Sequence, residues 1–211
     1  MLHYDIVSYL NPKECAMPKV GDEYREEVKT RVILAALDVF SRNGYHNTKM
    51  DDIAKKASVS KGTLYNHFSG KEELFRGIAE FLFKKEMTLC EAMFTENDPV
   101  QSFRIMFDGI SKLYEGKTGF LSEIFSLVER DEKMRAILSE AFAKEVEGFA
   151  QIISKMQSKG TIRQDIDTSS FAILLMALYM GIFMCRRMFD ESLLREQDLM
   201  DIGLRSILFE R

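Results

Sequence analysis

The sequence predicts an all-α protein, and three features of its 211 residues carry that expectation. Proline is scarce: Pro12 and Pro18 fall in the first eighteen residues, and from position 19 onward only Pro99 occurs. A proline inside a helix costs roughly 3 kcal/mol, so its scarcity leaves long helices open along almost the whole chain. Apolar residues recur at three- and four-residue spacing, the helical period. The frequent turn residues that a sandwich or barrel needs are missing, and a hydrophobic fraction of 46% is that of a folded protein. The length fits one or two domains.

Residues 1–21 show no clear period and read as an extension, with Met17 an alternative start. A helix follows over 24–43, with Val28, Val32, Ala35, Ala36, Val39 and Phe40 on one face and Asn43-Gly44 as its stop. Thr48 and Asp51 form a capping-box pair for a helix to about Ala57. After a turn at Ser58-Val59, Ser60 caps a short helix to Phe68. Ser69 and Glu72 make a second capping box before a long helix near 71–94, with Leu74, Ile78, Phe81, Leu82, Leu89 and Met93 as its apolar set. Asn97-Asp98-Pro99 is a break and restart. Further helices are expected near 99–115, 119–130, 132–158, 168–189 and 195–209, with the Gly116 and Gly119 region and Gly160 as stops and Asp167 as a cap.

Cys15, Cys90 and Cys185 are far apart and odd in number, so free thiols are expected, with no disulfide framework, metal site or cofactor. The stretch Phe171 to Cys185 has no charge, but it falls short of the roughly 20 residues that span a bilayer. It reads as a helix buried all round in a soluble, cytoplasmic protein, with no membrane partner. The net charge is −4, unevenly spread. Residues 41–71 carry Arg42, Lys49, Lys55, Lys56, Lys61 and Lys71 against Asp51 and Asp52 alone. A basic segment on an acidic chain points to a polyanion partner or to a solvated face.

Two helices about three residues apart, the second short and Ser-capped, have the spacing of a helix-turn-helix. Stepping about 100° per residue along the second helix puts Leu64 and Phe68 on the inner side, toward Ile53, Ala54 and Ala57. The outer side carries Gly62, Thr63 and Asn66, flanked by Lys61, Tyr65 and His67, with no carboxylate from Ser60 to His67. Asn66 can bond adenine through a paired donor and acceptor, and Thr63 can meet a base edge or a thymine methyl. Gly62 lets backbone approach a groove wall. Lys61, Tyr65, His67 and Lys71 can hold phosphates, and the helix starts at Thr48-Lys49 and Lys71 can aim N–H groups at them. On spacing alone, DNA binding and a merely solvated face both stay open.

Residues 33–75, ILAALDVFSRNGYHNTKMDDIAKKASVSKGTLYNHFSGKEELF, resemble the tetracycline-repressor (TetR) family of transcriptional regulators. The match runs through Ala35-Ala36, Phe40, Gly44-Tyr45, Thr48, Ile53-Ala54, Ala57, Val59-Ser60, Thr63-Leu64-Tyr65, His67-Phe68, Lys71 and Leu74, about a fifth of the chain. A weaker echo lies at Gly160–Asp167. One departure is Ser58, where the family often has Gly; if that turn needs positive φ, Ser costs about 1 kcal/mol.

The resemblance implies a three-helix DNA-binding domain over 22–70 and a helical ligand-binding and dimerisation domain over 71–211. It implies a homodimer on a double-stranded DNA operator, released by a small-molecule effector, with repression the commoner mode. The two recognition helices would then sit about 34–36 Å apart, or a multiple of that, and a ligand favouring another arrangement of helix 71–94 would change the spacing. Candidates for an apolar pocket are Phe103, Phe107, Tyr114, Phe120, Phe125, Phe149, Met176 and Tyr179; candidates for the dimer face are Leu174, Leu178, Leu204 and Ile207. The alternative is a helical carrier of small molecules or lipids with a relic helix-turn-helix. No catalytic constellation is expected: His3, His46 and His67 have no carboxylate partner in a conventional motif.

Overall fold

The structure, a computed structural model, describes residues 21–93, 98–115, 117–188 and 202–204. Among them it is all-helical, without a strand. The helices are α1 (Asp22–Asn43), α2 (Met50–Lys56), α3 (Lys61–His67), α4 (Lys71–Met93), α5 (Pro99–Leu113), α6 (Thr118–Arg130), α7 (Glu132–Ser158) and α8 (Thr168–Met188). Residues 202–204 are also helical. The rest of the helix expected over 195–209, with Ile207, and the extension before Gly21 lie outside the described residues.

Local chemistry explains most boundaries. Gly44, at φ 76°, ends α1 and donates its N–H to the Phe40 carbonyl. Asp98 opens α5, its carboxylate accepting the N–H groups of Val100 and Gln101 at 2.9 and 3.2 Å. Asp167 does the same for Ser170 at the start of α8, at 2.7 Å. Gly160, at φ 71°, closes α7.

Three expectations shift. The α2 cap is Lys49, not Thr48: Asp52 accepts the Lys49 N–H at 3.3 Å, while the buried Thr48 hydroxyl donates to the Gly44 carbonyl at 2.7 Å. Ser69 bonds Glu73, not Glu72, with both its N–H and its hydroxyl at 2.6 Å. Gly119 is not a stop but the second residue of α6, where a Cβ would overlap the Ser41 carbonyl oxygen of α1. It is there for close helix packing.

The chain divides into two compact units. The first holds residues up to Leu82 together with Lys112–Ala141. In it α1 packs on α2 and α6, and α2 packs on α3. Its centre is a chain of rings: Phe40 to Tyr45 at 5.4 Å, Tyr45 to Phe75 at 5.6 Å and Phe75 to Phe120 at 5.1 Å. Offset and edge contacts of this kind add to the area they bury. Across its surface Arg76 of α4 pairs with Glu140 of α7.

The second unit holds Phe83–Ser111 and the residues from Phe142 onward. Here the expectation of a helix buried all round is corrected. On α8, Phe171, Ala172, Leu175, Ile182 and Phe183 are buried, but Ile173, Leu174, Ala177, Met184 and Met188 are exposed. At about 100° per residue the exposed set, with Gly181, falls within one sector of the helix and the buried set opposite it. Among the described residues, only one side of this helix is covered. Thr168–Cys185, with mean hydropathy 1.9, is long and apolar enough to cross a membrane by length and composition; a core helix passes the same test.

Candidate nucleic-acid interface

The turn between α2 and α3 is made by Ala57–Ser60. Ser58 takes φ 54°, the only non-glycine with positive φ among the described residues. Its N–H and that of Val59 bond back to Lys55 and Ala54 at 3.1 and 3.0 Å, which closes α2 and turns the chain into α3. Ser60 then caps α3, its Oγ accepting the Thr63 N–H at 3.0 Å. Leu64 and Phe68 are buried, as are Ile53, Ala54 and Ala57 on the α2 side, and α3 packs on α2. Phe68 is seated where α4 has Gly77, at which a Cβ would come 2.9 Å from the ring.

This anchoring leaves the opposite side of α3 outward. Lys61, Gly62, Tyr65 and Asn66 are exposed, Tyr65 at 44%, and Thr63 and His67 are half-buried. Thr63 Oγ1 lies 2.8 Å from Ser60 Oγ, so the cap also orients a hydroxyl of the outer face. Lys61 pairs with Asp51 of α2 at 2.8 Å; the bond holds the carboxyl below its usual range and the ammonium above. Burial, then the charges of Arg25 and Lys29, push the His67 imidazole below its usual value. His67 therefore enters as a neutral donor or acceptor rather than as a cation. Arg25 and Lys29, one helical turn apart on α1, are cations beside this face that the sequence reading did not include; their four-residue spacing was the available signal.

Several of the expected cations are already engaged within the chain. Arg42 and Lys56 both pair with Asp38, at 2.9 and 2.8 Å. Lys71 lies with its Nζ 4.6 Å from the Tyr45 ring centroid and donates to the carbonyls of Tyr45 and His46 at 2.8 and 3.3 Å. Two of its three donors thus hold the α1–α2 turn. Thr48, 1% exposed and turned to Gly44, is likewise a turn residue. Lys49 and Lys55 are exposed.

The candidates for a ligand pocket separate. Phe103, Phe107, Phe149, Met176 and Tyr179 belong to the second unit, where Phe103 meets Phe171 edge-on at 5.8 Å and Phe107 meets Tyr179 at 5.4 Å. Tyr114, Phe120 and Phe125 belong to the first unit: Phe120 stacks on Phe75, and Phe125 is 43% exposed. Phe120 is thus a core ring and Phe125 a surface residue of that unit. The second unit also holds a polar pair that the sequence reading missed. Glu86 of α4 is buried, and Glu145 of α7 hydrogen-bonds to it. Burial, together with the Glu86 carboxylate, pushes the Glu145 carboxyl up to about 10, so at neutral pH the pair shares one proton. Each carboxylate alone had a signal, since Glu86 interrupts the apolar stripe Leu82, Leu89, Cys90 and Glu145 the stripe Leu138, Phe142, Phe149, but no spacing signals their pairing. Of the dimer-face candidates, Leu174 is exposed and Leu178 half-buried, but Leu204 is fully buried in its own chain and has no surface left for a partner.

A capped helix-turn-helix with an outward polar face defines a DNA-binding protein of the transcriptional-regulator class. Residues 32–78 match the sequence profile of the bacterial regulatory proteins of the tetR family. The HTH-type transcriptional regulator UidR of Escherichia coli K12 is 32% identical over 189 residues, covering 87% of this chain and 92% of its own. Salmonella enterica GusR shares the fold at TM-score 0.73 and 22% identity, over 90% of this chain and 99% of that one. FadR of Bacillus subtilis, solved in complex with stearoyl-CoA, shares it at TM-score 0.66 and 19% identity, over 85% and 97%. The chain belongs to the TetR family of DNA-binding transcriptional regulators.

Proposed function

We propose that this protein is a homodimeric, cytoplasmic repressor that holds a double-stranded operator through α3 and releases it when a small apolar or amphipathic effector binds. In this reading residues 22–70 bind DNA, residues 71–211 bind the effector and the second protomer, and residues 1–21 are an extension. The observation that carries it is the outer face of α3, exposed and free of carboxylates, on a helix whose inner face is fixed by Leu64 and Phe68. Asn66 and Thr63 read base edges, and Gly62 permits close approach. Tyr65, Lys61, His67, Ser60 and Lys49 contact the backbone, with Arg25 and Lys29 adding charge. Lys71 and Thr48 act on DNA through the turn that they hold.

The second protomer covers the exposed stripe of α8, Ile173, Leu174, Ala177, Met184 and Met188. A stripe of this length on an isolated chain calls for a partner, and closed two-fold pairing is the commonest solution. Support for the effector comes from the aromatic interior of the second unit and from the stearoyl-CoA held by FadR, a protein alike in fold. No membrane partner and no catalytic role enter this reading; a carrier with a relic helix-turn-helix would bind no DNA specifically.

The test is selection of bound sequences from a random duplex library, then affinity measurement on the best sequence. Wild type is expected to enrich a palindromic site and to lose affinity steeply as salt rises. Tyr65→Ala should weaken that binding at least about tenfold with its melting temperature unchanged. Lys71→Ala should lower both affinity and melting temperature, because it frees the Tyr45–His46 carbonyls. Enrichment of no sequence would refute the reading.

A further inference from the structure

The turn between α1 and α2 is held from α6 by one side chain. Glu123 Oε1 accepts the Tyr45 backbone N–H at 2.7 Å, across 78 residues of sequence. The same carboxylate covers Gly44, whose added Cβ would sit 3.2 Å from Oε1. One helical turn earlier on α6, Gly119 brings the helix against the Ser41 carbonyl at the end of α1. The rest of the turn is fastened as well. Gly44 donates to Phe40 and accepts from Thr48, Lys71 takes the carbonyls of Tyr45 and His46, and the Tyr45 ring is buried between Phe40 and Phe75. Tyr45 leads in three residues to Thr48 and in five to α2. The bond reaches backbone, so it acts regardless of the side chain at 45.

We propose that Glu123 is a positioning residue for DNA recognition: its bond to the Tyr45 amide sets how α2 and α3 are carried on α6. This rests on the DNA-binding reading above. Glu123 would touch no DNA, and its loss would misplace a reading surface that is itself intact. A charge-assisted bond to a buried backbone N–H is strong enough for that role.

Two conservative variants separate position from charge. Glu123→Asp keeps the negative charge but shortens the arm by one methylene, while Glu123→Gln removes the charge and keeps an acceptor at full length. Affinity would be measured for the duplex selected with wild type and for an unrelated duplex at low salt, with amide exchange at Tyr45 followed alongside. The expected results are about tenfold weaker specific binding for Glu123→Asp, with unrelated-duplex affinity within about twofold, and specific binding within about threefold of wild type for Glu123→Gln. Tyr45 amide exchange should speed up about tenfold in the Asp variant and stay slow in the Gln variant. Glu123→Asp that binds the selected duplex like wild type would overturn the proposal, as would equal loss on both duplexes. Stronger binding by Glu123→Gln with unchanged Glu123→Asp would assign the residue to charge instead. Wild type that selects no sequence refutes the DNA-binding reading and this proposal together, whereas the other outcomes leave that reading standing.

Discussion

Ser58 carries a local cost in exchange for a tight turn. At φ 54° its Cβ crowds the following backbone, a strain glycine does not have. Ser58→Gly should therefore stabilise the protein by about 0.5–1 kcal/mol in chemical denaturation, the gain being trimmed by glycine's freer unfolded chain. Glu145 gives a pH dependence of its own. Its folded carboxyl titrates at about 10, far above its unfolded value, so the stability it contributes is complete at acid pH and is lost as pH rises toward that value. Glu145→Gln keeps the contact without the proton. Comparing denaturation midpoints at pH 6 and pH 9 should show a smaller drop in the variant than in wild type. The reason for Ser58 was legible in sequence as a departure from a familiar pattern; the carboxyl pair was not, because nothing in spacing joins position 86 to position 145.

Helices were read well from sequence wherever one short-range rule decided them. Period, the restart at Asp98-Pro99, Asp167 and Ser60 as caps, and Gly44 and Gly160 as stops all act within about four residues, and α7 begins and ends where expected. Errors came from choices between neighbours. Thr48 and Lys49 compete for one cap, and the Thr48 hydroxyl goes backward to Gly44 because its side chain is buried in the turn. Gly119 misled for another reason, since its role is tertiary: the space it vacates is filled by Ser41 of a helix 78 positions earlier. Gly119→Ala should then force α6 off α1 and cost about 2 kcal/mol, seen as a fall in melting temperature. An unchanged melt would show that this approach is not tight.

For the whole molecule, the outward polar face of the short helix was legible and its supports were not. The polar face of α3 follows from eight consecutive residues and helical geometry. Glu123, Lys71 and the ring chain from Phe40 to Phe120 bring together residues far apart in sequence, which one sequence cannot reveal. The same limit explains why the aromatic candidates fell into two units. The α8 stripe belongs to this scale too. Leu174→Glu puts a charge in its middle and should convert the proposed dimer to monomer in sedimentation, with specific DNA affinity falling at least about tenfold. A variant that stays dimeric would move the interface elsewhere. That uncovered stripe has a consequence for the cell's arithmetic. In the proposed dimer, pairing of two chains would make operator occupancy scale, at low abundance, with the square of the protein's concentration, so a twofold change in its synthesis would become about a fourfold change in promoter control.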